Sequence, residues 1–194
     1  MPNGLANFKN LLREFRELAA WAAGPTAAPF VAHLLDLAPP WPRSIVFLTT
    51  ITELIALVLA FQLLSGASKK TIQRVMLSSL VVIMIFSPIY LIAASQFTIR
   101  MPNKDLTVAG LVCTGEARAV YKDKCPWLGR FELADAEYNA DQLWEFWSIS
   151  LVRTGLVMLW SLIFGALSML FGSFLIHQMR LKPPRTRRDF RQSA

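Results

Sequence analysis

Three stretches, residues 45–65, 75–97 and 146–176, hold only two formally charged side chains between them, Glu53 and Arg153. A hydrocarbon core about 30 Å thick is crossed by roughly 20 apolar residues at 1.5 Å each. Backbone polar groups there find no water and must bond within the segment, so each stretch is expected to be a helix. The mean hydropathy of +0.42 exceeds that of a soluble domain, and the surplus needs lipid or other membrane helices to face. The expected class is an all-α integral membrane protein, a bundle of three to four transmembrane helices in a lipid bilayer, with a small disulfide-stapled extracytoplasmic loop domain. The expected location is a bacterial inner membrane.

Charge sets the expected orientation. Residues 179–194 carry Arg180, Lys182, Arg185, Arg187, Arg188 and Arg191 against Asp189 alone. The short connection after the first apolar stretch adds Lys69, Lys70 and Arg74. Loop 99–145 has the opposite balance, six basic against eight acidic residues. Basic segments stay cytoplasmic, so the tail and the 66–74 turn belong inside and the loop outside. The net charge of +7 then points to anionic lipid or a cytoplasmic protein partner at the tail, and no nucleic acid is expected.

The chain divides at 1–42, 43–98, 99–145, 146–178 and 179–194. Residues 5–22 place Leu5, Phe8, Leu11, Leu12, Phe15, Leu18 and Ala19 on one helical stripe, the pattern of a helix lying on a bilayer or on its own protein. Residues 18–38 are long enough to cross, but Gly24, Pro25, Pro29, His33 and Asp36 interrupt them. A fourth, shielded crossing brings Lys9, Arg13 and Arg16 inside and is the preferred reading. A re-entrant or interfacial segment is the alternative. No secretory signal is expected, because the first apolar residues are interleaved with charges. Trp41 among Pro39, Pro40 and Pro42, and Trp144 with Trp147, are expected at headgroup level on the outer side. Pro88 removes one hydrogen bond inside the second stretch and marks a hinge or a simple bend.

The loop contains the only two cysteines, Cys113 and Cys125. An even count in one extracytoplasmic loop points to a disulfide. The β-prone runs 106–112 and 117–121 suggest a hairpin stapled by that bond. Glu132, Asp135, Glu137, Asp141 and Glu145 follow, either as an attractor for cations or a basic partner or as a solvated surface.

Glu53 and Arg153 are intramembrane ionisable residues and so candidates for function. Counted from their own helix starts, they lie at similar depths. An ion pair, a gating or ion contact, and outward snorkelling of the arginine are the three readings. Ser150, Thr154, Ser161, Gly165, Ser168 and Gly172 recur at helical spacing and form a small-residue face for close helix approach. It suits a homo-oligomer seam, a pore lining or packing inside one subunit.

Two histidines far apart, with no metal-ligand spacing, phosphate loop or nucleophile–base motif, point away from enzyme chemistry, metal and cofactor. The expected role is a non-enzymatic membrane subunit that self-associates and docks partners, with an outer loop contacting external factors and a basic cytoplasmic tail. An oligomeric pore or ion channel is the rival class, and a membrane-disrupting toxin or defence effector the third.

Overall fold

The computed structural model describes residues 27–35, 37–42, 44–102 and 106–181, with side chains to Gln178. The amphipathic 5–22 segment, residues 18–26 and 36 of the 18–38 segment, and the tail beyond residue 181 lie outside these residues. The chain is mostly helical. Its elements are α1 (27–34), α2 (Ile45–Leu64), α3 (Lys69–Phe97), β1 (Thr98–Arg100), β2 (Leu106–Val108), α4 (Gly115–Val120), α5 (Arg130–Asp135), α6 (Ala140–Leu143) and α7 (Phe146–Leu181).

Among the described residues, three helices, α2, α3 and α7, are long and apolar enough to cross a membrane. Local chemistry supports the first two. Thr49, Thr50 and Thr52 on α2 turn their hydroxyls onto the carbonyls of Ile45, Val46 and Leu48 at 2.7, 2.9 and 2.9 Å, which internalises their polarity. Ser68 caps α3 by accepting the Thr71 N–H at 3.2 Å, satisfying one orphan donor of the first turn. Pro88 sits inside a continuous α3.

α7 is the central rod. It packs along both α2 and α3, which meet it more than each other. At one end Ala60, Leu64, Ile72 and Ile176 bury together, so the α2–α3 turn and the end of α7 share one pole. Nearer the other pole, Tyr90 of α3 and Phe164 flank Trp160, with ring centroids 5.4 and 4.5 Å from the indole. Segment 37–42 is tied in where the Tyr90 hydroxyl donates to Leu37 O at 2.7 Å.

Residues 98–145 form a small domain at the second pole. β1 and β2 pair antiparallel, Thr98 with Val108 and Arg100 with Leu106. Leu133 and Trp144 are fully buried in its core with Cys113, Leu128 and Ile149. Cys113 and Cys125 are disulfide-bonded. The hairpin expected from 106–112 and 117–121 is replaced by other pairings. β2 joins β1, and residues 115–120 are helical because Thr114 caps them, accepting the Ala117 N–H at 3.2 Å. A cap of this kind outweighs the weak strand preference of so short a run. Trp144 is likewise no headgroup anchor: it is buried and its indole N–H donates to Pro126 O at 3.0 Å. Trp41 and Trp147 do remain exposed.

Candidate functional site

α2 buries one stripe, Ile45, Thr49, Glu53, Ala60 and Leu64, whose spacings of four and seven define a single helix face. That face meets α7. The Trp160 indole N–H donates to Thr49 Oγ1 at 2.8 Å. A methyl placed on Gly165 would lie 3.9 Å from Thr52 Cγ2, and one on Gly172 only 2.7 Å from Ala60 Cβ. These three points run in the same direction along both helices, so α2 and α7 are parallel, in a constant register.

Glu53 occupies the middle of this seam. It is 1% exposed, and among the described residues neither carboxylate oxygen has a hydrogen-bond partner. One turn toward the disulfide end lies the Thr49–Trp160 bond. On α7, Ser168 stands between Gly165 and Gly172 on the same face, buried, with its hydroxyl also unpartnered.

The ion pair between Glu53 and Arg153 is not formed; among the described residues Lys124 and Glu132 make an ion pair. The register explains why. Tyr90 stacks on Trp160, Phe97 lies seven residues beyond Tyr90, and Arg153 lies seven residues before Trp160. In antiparallel helices Arg153 therefore stands level with the end of α3. Glu53, four residues past Thr49, stands about one turn beyond Trp160. The two charges are separated along the axis by about a dozen residues, or about 17 Å. Depth counted from helix starts misleads here because α7 begins well above α2, in the outer domain. Arg153 is half-buried with its Nε unpartnered, at the height where an arginine reaches outward to headgroups. Along the α7 axis Glu53 lies midway between the levels of Arg153 and Ile176.

The small-residue stripe divides. Gly165, Ser168 and Gly172 face α2 within the subunit, Ser150 and Ser161 are half-buried, and Thr154 is exposed. Gly172→Ala is expected to cost about 2 kcal/mol, since its new methyl overlaps Ala60 Cβ, which is fixed to the α2 backbone and cannot turn aside; Leu57 Cδ1 at 3.4 Å can yield. The double variant with Ala60→Gly should recover most of it. Thermal unfolding in detergent measures both, and equal losses in the single and double variants would refute the contact.

In the outer domain, Glu132 receives Lys124 Nζ at 2.6 Å and the Gly129 N–H at 2.9 Å. The lysine hydrogen bond first, then the backbone donors, hold its carboxyl below the usual carboxylate range. Among the described residues no group of three or more His, Cys, Asp and Glu side chains is placed to hold a metal ion. Arg180 lies beyond the described side chains, and Lys182, Arg185, Arg187, Arg188 and Arg191 beyond the described chain.

The burial of Glu53 and the partnering of Thr49 with Trp160 were not readable from spacing alone. The four-residue interval from Thr49 to Glu53 was the available signal. No protein-family model, curated protein or solved structure matches this chain.

Proposed function

We propose that this is a non-enzymatic membrane subunit of a bacterial inner membrane that docks an extracytoplasmic protein through its outer domain, with its basic tail in the cytoplasm. The observation that carries this reading is a finished outer domain that still exposes large apolar side chains. Its core is closed over Leu133 and Trp144, yet Val120 is 72%, Trp127 62% and Phe131 84% exposed. Large apolar side chains left outside a completed core mark contact surfaces when they cluster. Exposed Glu116, Asp123, Asp135, Glu137 and Asp141 on the same domain favour a partner with basic residues around an apolar centre.

The two poles support this orientation. Lys69, Lys70 and Arg74 lie at the same pole as the end of α7, opposite the disulfide, the arrangement the positive-inside rule favours. The tail from Arg180 to Arg191 is suited to a cytoplasmic protein or anionic lipid. Self-association rests on the remainder of the small-residue stripe, Ser150, Thr154 and Ser161. The pore reading has less support, because Gly165, Ser168 and Gly172 are taken up by α2.

The test is Phe131→Glu in the natural host, followed by gentle detergent purification and mass measurement of the intact assembly. The expected result is loss of a stoichiometric partner present with the wild-type chain, at unchanged helical content and thermal stability. A partner retained at full stoichiometry overturns the outer-domain docking role.

A further inference from the structure

We propose that Glu53 is a proton-binding site, holding its carboxyl as the neutral acid inside the α2–α7 seam. The carboxylate takes one proton from hydronium: an O–H bond forms on the carboxyl oxygen, one breaks on the donor, and water is left.

The argument is one of missing partners. An isolated carboxylate in a low-dielectric interior needs a counter-charge or several donors, and without them it takes up a proton. Among the described residues Glu53 has neither. Both oxygens lack a hydrogen bond there. Thr49, the nearest polar neighbour on its own face, is committed: its hydroxyl donates to Ile45 O and accepts from Trp160. The Thr52 hydroxyl is turned back onto Leu48 O.

No cation reaches it from the packed elements. On α7 there is no lysine, arginine or histidine between Arg153 and His177, and Arg153 stands about 17 Å away along the axis. On α3 no charged residue lies between Arg74 and Arg100. The one titratable group there, Tyr90, donates to Leu37 O. His33 of α1 is exposed. Ser168, unpartnered and buried on the facing helix, is a polar neighbour for a neutral acid but carries no charge to hold an anion.

Glu53 is bracketed along the seam: on its Lys69 side a methyl on Gly172 would meet Ala60 Cβ, and on the other side lies the Thr49–Trp160 bond. Ionisation of Glu53 works against this packing, since it leaves a bare charge between the two helices.

The test uses the full chain reconstituted in vesicles of phosphatidylcholine and phosphatidylglycerol. Infrared spectroscopy is recorded at neutral pH, where solvent-exposed carboxyls are ionised. The expected result is a carbonyl absorption of a protonated carboxylic acid in the wild type, lost completely in Glu53→Gln and shifted in Glu53→Asp. Glutamine has the shape of the neutral acid, so Glu53→Gln should also assemble and melt as the wild type does. Absence of the band in the wild type overturns the proposal, as does its persistence in Glu53→Gln. Failure of Glu53→Gln to fold would likewise count against it, because an ionised, externally paired Glu53 is what glutamine cannot replace.

Discussion

Gly110→Ala is expected to destabilise the outer domain by about 3 kcal/mol, the upper part of the range for overpacking a closed core. Gly110 passes directly over the start of α7. A methyl there overlaps Ser148 Oγ and comes within 2.6 Å of Trp144 Cβ and 3.0 Å of Trp144 Cγ. Neither neighbour can move freely. Ser148 is fully buried; its hydroxyl donates to Glu145 O at 2.8 Å and accepts from Val112 N–H at 3.3 Å. Trp144 is fully buried and held by its indole bond to Pro126 O. Turning the serine away breaks the link between residue 112 and α7, and shifting the tryptophan opens the domain core. Denaturant unfolding followed by tryptophan fluorescence measures the loss. A change below about 0.5 kcal/mol, the scale of an ordinary surface substitution, would show that the packing is slack.

Removing the disulfide is the second large effect. Cys113 and Cys125 are twelve positions apart, and the chain-entropy estimate for a loop near that size is about 3 kcal/mol. The bond joins the segment leading into α4 to the segment leading into α5. Cys113 is also part of the buried core and bridges to Trp144. The double variant Cys113→Ala with Cys125→Ala separates this cross-link from sulfhydryl burial. Reductant should lower wild-type stability to nearly the level of the double variant and leave the double variant unchanged. Equal stability of oxidised and reduced wild type would remove the cross-link from the account of this domain.

Much of the architecture was legible because lipid imposes a simple rule on sequence. The stretches around Glu53, Pro88 and Arg153 contained so few charges that helices of membrane-crossing length were the only economical reading, and all three are present. The disulfide was legible for a similar reason: two cysteines shared one loop. The height of each charge was not legible. Depth was counted from each helix's own first apolar residue, and only the Thr49–Trp160 and Ala60–Gly172 contacts reveal that α7 starts far above α2. The pairing of residues 106–108 was missed because their partner, 98–100, falls where the second apolar stretch passes into the loop and was given no strand. The short helix after Thr114 was missed because 117–121 was read as a strand-prone run and the threonine between the two runs was not read as a cap. The stripe from Ser150 to Gly172 was legible as a packing face, but sequence carries no mark distinguishing a neighbour in the same chain from one in another.

α7 has 36 residues, a length of about 54 Å, well beyond the hydrocarbon thickness it has to traverse. Its first turns are bolted to the cap by Ser148 and Ile149, and its later turns grip α2 around a bare acid. With no proline along it, it behaves as a stiff lever. Any displacement of the cap relative to α2 would therefore be felt at Glu53 as shear between two helices.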